Sequence, residues 1–100
     1  MESNNREKSI MTIEDYRQKI DGLDDQILVL LNQRAAFAAE IGIVKRSLGM
    51  AVYDPEREIK ILNRLVHHNK GPLDEKSVRT LFERIIDESR RIERHITDNQ

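Results

Sequence analysis

The chain contains no cysteine, which excludes a disulfide framework and thiolate chemistry. Aromatic residues make up 4%, with only two prolines and four glycines. Together with the scarcity of β-branched runs, this argues against a sheet. Neither sign of charge dominates: 17 basic residues face 18 acidic ones, for a formal net charge of -1. No global field therefore draws the chain to nucleic acid or to an anionic membrane. The first residues, MESNNREKSIM, lack the apolar core of a signal peptide. No stretch approaches the roughly 18 apolar residues of a membrane span, and a cytoplasmic protein fits these absences. There is no phosphate-binding glycine loop, nucleophile elbow or zinc motif. His67 and His68 are adjacent, point to different helix faces and have no third ligand at metal spacing. No metal or cofactor is expected.

What remains is 38% hydrophobic and 35% charged residues, a mixture suited to amphipathic helices with charged outer faces. The 100 residues fit one all-α domain over 12–97, preceded by a flexible tail at 1–11. From Ile13 the positions Tyr16, Ile20, Leu23, Ile27, Leu30, Arg34, Phe37, Ile41, Val44 and Leu48 follow at alternating spacings of three and four, a sustained heptad seam. Thr12 is its N-cap and Gly49 its stop. Gly22 and Gly42 weaken the helix by about 1 kcal/mol each relative to alanine, which the periodicity outweighs. Such a helix is about 55 Å long, whereas a compact domain of this size has a radius of gyration of about 13 Å. Its seam needs another chain, in either a parallel coiled coil or an antiparallel interlocked dimer. Two shorter helices follow. Asp54-Pro55 starts the first, with an apolar face of Ile59, Leu62, Leu65 and Val66, and Asn69-Lys70-Gly71-Pro72 ends it. Asp74 caps the second, whose stripe is Val78, Leu81, Phe82, Ile85, Ile86, Ile92 and Ile96.

Function is read from the polar residues that interrupt these stripes. Arg34 occupies a seam position. It is either a register-fixing residue with a packed stem or an anion binder. Lys45, eleven residues on, lies about three turns away and nearly in angular register with it. The pair suggests an anion held between them, although either alone reads as ordinary. Arg17 lies about 25 Å along the axis from Arg34 and about 42 Å from Lys45. It is either a surface arginine or a contribution to another subunit's site. Asp54, Arg57 and Glu58 cluster in the first turn of the second helix. There the macrodipole disfavours a cation, so Arg57 calls for an anionic partner. Ser89 and Glu93, four apart, flank the apolar stripe of the last helix or mark the edge of its solvent face.

In their order and spacing these elements resemble the small all-helical chorismate mutases. The matching segments run from Tyr16 to Arg94: Arg17-Gln-Lys-Ile-Asp-Gly-Leu-Asp24, Leu30-Leu31-Asn-Gln-Arg34, Ile41-Gly-Ile-Val-Lys45, Val52-Tyr-Asp-Pro-Glu-Arg-Glu58, Asn69-Lys-Gly-Pro-Leu73 and Leu81-Phe-Glu-Arg-Ile-Ile-Asp-Glu-Ser89. The resemblance implies three helices per chain in an intertwined homodimer that converts chorismate to prephenate, toward phenylalanine and tyrosine. It places Arg17 as the arginine reaching over from the partner and Arg34 and Arg57 as in-chain carboxylate binders. Lys45 falls on the lysine serving a carboxylate and the ether oxygen. Glu58 and the backbone at Asp54 fall on the groups holding the ring hydroxyl, and Ser89 on a polar residue near a carboxylate. Glu93 stands where glutamine often faces the ether oxygen, which raises a protonation requirement. The implied reaction is a unimolecular pericyclic rearrangement that needs no nucleophile, metal or acid–base couple. Lys45, Glu93 and Arg34 are its candidate catalytic residues. Two other readings compete: a lyase on the same scaffold that removes pyruvate from isochorismate, and a non-catalytic helical dimerisation module. The complete Asp54, Arg57 and Glu58 set favours the mutase over the first. The coincidence of Arg34, Lys45, Arg57 and Ser89 favours it over the second.

Overall fold

The structure, a computed structural model, describes residues 10–98. Most of the expected tail at 1–11 lies outside the described residues. Three helices and no strand occur among them: α1 (Ile13–Leu48), α2 (Pro55–His68) and α3 (Glu75–Asp98). Each begins as local chemistry dictates. Thr12 N–H donates to Asp15 Oδ2 at 2.9 Å and Asp15 N–H donates to Thr12 Oγ1 at 3.1 Å, the reciprocal arrangement of a capping box. Asp54 Oδ1 accepts from Arg57 N–H at 3.1 Å, with Pro55 as the first helical residue. Asp74 Oδ1 accepts from Ser77 N–H at 2.7 Å. Gly49, at φ 65°, ends α1 in a conformation that favours glycine.

The chain divides into two units, residues 1–33 and 34–100. The described part of the first is essentially the N-terminal half of α1. There Tyr16, Ile20, Leu23, Ile27 and Leu30 are all more than half exposed within the single chain, as are Leu28 and Val29. By length and composition α1 could cross a membrane, contrary to the sequence expectation. Isolated polar residues such as Arg34 and Glu40 interrupt its apolar run without making it polar. A helix covered on most of its faces by protein meets the same test.

The second unit packs the C-terminal part of α1 with α2 and α3 around a small core of Ala38, Ile61, Val78 and Ile86. Ile61 corrects the expected face of α2. It is buried, whereas Ile59 is 59% exposed. Leu62, Leu65 and Val66 are half-buried as expected, and toward the N-terminus the stripe continues through Ile61 to Glu58, Arg57 and Asp54, at the i, i+3, i+4, i+7 spacing of one helix face. Charged residues on that stripe disguise it as a polar face. Gly42 lets α1 and α3 approach closely: a Cβ there would stand 3.1 Å from Glu93 Cα, 3.3 Å from Glu93 O and 3.4 Å from Ile96 Cβ.

Candidate active site

A cavity of about 390 Å3 lies within the second unit. Each helix contributes one stripe to it. From α1 come Arg34, Phe37, Ala38, Ile41 and Lys45; from α2 come Arg57, Glu58 and Ile61, with Asp54 at its cap; from α3 come Ile86, Ser89, Arg90 and Glu93. In each case the spacing is that of a single helical face. Seven of the eight residues singled out in the sequence meet here. The eighth, Arg17, is an exposed residue of the first unit.

Arg34 is half-buried, and its Nη1 donates to Ser89 Oγ. That hydroxyl in turn donates to Ile85 O at 3.2 Å, which leaves its lone pairs for the arginine. Burial pushes the Arg34 guanidinium below its ordinary value; the positive charge of Arg57 adds to this and Glu93 opposes it. Two guanidinium groups that repel one another across a cavity create a demand for an anion. Arg57 makes no side-chain hydrogen bond or ion pair with the described residues, so its donors are available.

Lys45 donates to Val52 O at 2.9 Å and stands 2.8 Å from Glu93 Oε1. These side chains are only 14% and 12% exposed, so solvent screens their attraction weakly. The contact has the distance of an ion pair without the alignment of a hydrogen bond. Buried Glu93 Oε1 has no hydrogen-bond partner among the described residues. An ammonium has three N–H groups. One is spent on Val52 and one faces Glu93, leaving a third for a ligand.

Glu58 is gripped from α3 by Arg90, whose Nη2 lies 2.8 Å from Oε1 and whose Nε lies 3.2 Å from Oε2. This forked pair raises the Arg90 guanidinium above its already high value. Sequence reasoning missed Arg90, because Arg90-Arg91 in a charged helix reads as two solvated residues. The available signal was its spacing of four from Ile86 and three from Glu93. It also missed Tyr53, whose ring centroid lies 5.3 Å from Arg90 Cζ. No group of three or more histidine, aspartate or glutamate side chains among the described residues is placed to hold a metal ion.

The arrangement can bind an anion between Arg34, Arg57 and Lys45 while offering carboxylate oxygens to a neutral hydroxyl. Comparison with known proteins gives it a context. Residues 16–94 match the family model described as chorismate mutase type II. The chain is 45% identical over 82 residues to the bifunctional chorismate mutase/prephenate dehydratase of Neisseria gonorrhoeae, covering 82% of this chain and 22% of that protein. It thus spans about a fifth of the length of the bifunctional relatives it matches. A chorismate mutase structure from Thermus thermophilus superposes with a TM-score of 0.80 at 36% identity, covering 81% of this chain and 92% of that one. Chorismate mutase from Helicobacter pylori, solved in complex with prephenate, superposes at 0.80 and 26% identity, covering 88% and 96%.

Proposed function

The chain belongs to the chorismate mutase type II family, and we propose that its cavity rearranges chorismate to prephenate within a cytoplasmic homodimer whose two sites are each completed by the other chain. The observation that carries this reading is the pair of facing guanidinium groups, Arg34 and Arg57, of which Arg57 has no anionic partner.

Chorismate is flexible and carries two carboxylates, and it must adopt a compact chair-like conformer before its bonds can exchange. Cations fixed on rigid helices select that conformer and so reduce the entropic part of the barrier. Arg34 is pre-oriented by Ser89 and Arg57 by its place in the first turn of α2; each guanidinium can grip a carboxylate through two parallel hydrogen bonds. As the C–O bond breaks, negative charge grows on the ether oxygen. The remaining donor of Lys45, held by Val52, stabilises that charge more than it stabilises the ground state. Glu93 faces the same oxygen and can donate to it only as the protonated acid. Glu58 accepts from the ring hydroxyl, with the backbone at Asp54 as the second partner. The reacting atoms need no nucleophile.

A second copy of the chain accounts for Arg17, an exposed residue of the N-terminal half of α1, which would reach the cavity of that copy. The exposed apolar row from Tyr16 to Leu30 gives that copy a surface to cover, since contiguous apolar area of this kind is costly in water.

The test is direct. Purified protein should consume chorismate with stoichiometric appearance of prephenate, and no turnover would sink the reading. Arg17→Ala and Arg34→Ala proteins, each inactive alone, should regain activity after subunit exchange, because some mixed dimers own one intact site. Confirmed exchange without recovery would refute the shared site and leave the reaction itself standing.

A further inference from the structure

Glu58 poses a problem for an anion-binding cavity. It is adjacent to Arg57 in sequence and lines the same cavity as Arg34 and Arg57. A free carboxylate in that position would be drawn to the arginines that must bind the substrate. It would then act as an internal competitor for the clamp and would no longer face the ring hydroxyl.

The structure shows what holds it away. Arg90 engages both carboxylate oxygens, through Nη2 at 2.8 and 3.0 Å and through Nε at 3.2 Å. A forked guanidinium–carboxylate pair fixes orientation as well as distance. Arg90 is itself supported on two further sides. Its Nη2 lies 3.3 Å from Asp87 Oδ1, one turn earlier on α3, and its Cζ stands over the Tyr53 ring at 5.3 Å, a cation–π contact. Tyr53 lies between Val52, whose carbonyl holds Lys45, and the α2 cap Asp54. The connection between α1 and α2 thus supports both the donor and the acceptor side of the cavity.

We propose that Arg90 is a positioning residue that acts through Glu58, holding its carboxylate as a fixed hydroxyl acceptor and keeping it from neutralising the anion clamp of Arg34 and Arg57. The proposal rests on the mutase reading of the cavity. It leads to a specific kinetic signature. Releasing Glu58 inserts a competitor into the clamp, so substrate affinity suffers more than turnover. The effect must also vanish when Glu58 can no longer carry charge.

The experiment is a double-mutant cycle on the full chain with chorismate, reading kcat and KM separately, with thermal unfolding followed by circular dichroism for every variant. Wild type is measured first; if it does not turn over chorismate, the mutase reading fails and this proposal falls with it. Arg90→Ala should raise KM roughly tenfold with a smaller change in kcat, and after Glu58→Gln the same change at position 90 should alter KM by less than about twofold. Arg90→Lys keeps the charge but not the fork, so it should fall between wild type and Arg90→Ala, and it provides the comparison if Arg90→Ala fails to fold. An active wild type whose Arg90 variants keep a wild-type KM would overturn the proposal. So would equal KM effects with and without the Glu58 carboxylate, which would mean that Arg90 touches the substrate directly. A fall in melting temperature with KM unchanged would assign Arg90 a purely structural role and also overturn it.

Discussion

Gly42→Ala tests whether the close approach of α1 and α3 sets the geometry of the cavity. Two opposing effects can be weighed. In a helix interior, alanine in place of glycine gains about 1 kcal/mol of intrinsic propensity. Against this, the new methyl would lie 3.1 Å from Glu93 Cα and 3.3 Å from Glu93 O, both backbone atoms, and 3.4 Å from Ile96 Cβ. Backbone cannot rotate out of the way, so α3 must move by a few tenths of an ångström. Overpacking of this kind costs about 1–3 kcal/mol, so the net change should be between about zero and 2 kcal/mol of destabilisation. Activity should respond more sharply. The residue displaced is Glu93 itself, 2.8 Å from Lys45, and Ser89, which orients Arg34, rides on the same helix. Misplacement by 1 Å costs on the order of a hundredfold in rate, so a shift of a few tenths should cost roughly threefold to tenfold in kcat/KM. Urea unfolding at matched protein concentration, together with steady-state kinetics, measures both quantities. A variant stabilised by about 1 kcal/mol with unchanged kcat/KM would refute the reasoning, because the methyl would then have found room without moving α3.

Other outcomes follow from the same geometry. Lys45→Ala should lower kcat/KM by about a hundredfold to a thousandfold, the loss typical of one preorganised oxyanion donor, without unfolding the chain; near-normal turnover would remove Lys45 from the mechanism. Glu93→Gln keeps the size and supplies an amide N–H donor, so it should retain substantial activity, whereas Glu93→Ala should lower kcat/KM; wild-type turnover in Glu93→Ala would place Glu93 outside the chemistry. The side-chain and backbone hydrogen bonds of Ser77 hold the Asp74 carboxyl below its ordinary value of 3.8. A depressed folded-state value means that its contribution to stability is present above pH 3.8 and is lost as pH falls through the folded value. Asp74→Asn should therefore flatten the acid limb of stability measured by urea unfolding between pH 5 and pH 2, and an unchanged acid limb would count against the cap. Sedimentation equilibrium should show a dimer at micromolar concentration, and a well-folded monomer there would contradict the coverage of the α1 seam by a second copy.

The sequence by itself determined the three helices and their ends, because these depend on neighbours a few residues apart. Thr12, Asp54 and Asp74 satisfy orphan N–H groups within their own first turns, Gly49 supplies the positive φ at the end of α1, and heptad spacing is a property of the chain alone. It also marked Arg34 and Lys45 as polar intruders on one stripe. Three features were decided only by tertiary structure. The inward face of α2 carries Arg57, Glu58 and Ile61, where periodicity favoured Ile59, because burial there is set by what α1 and α3 present opposite. Gly42 costs helix stability when read locally, and only the proximity of the Glu93 backbone shows what its missing side chain allows. Spacing puts Arg90 and its neighbour Arg91 on different faces of α3 without saying what either meets. The first grips Glu58 on α2, whereas the second pairs with Glu88 on its own helix. A side chain's partner across 32 residues is fixed by how helices pack, and local sequence encodes the helix face without encoding what meets it.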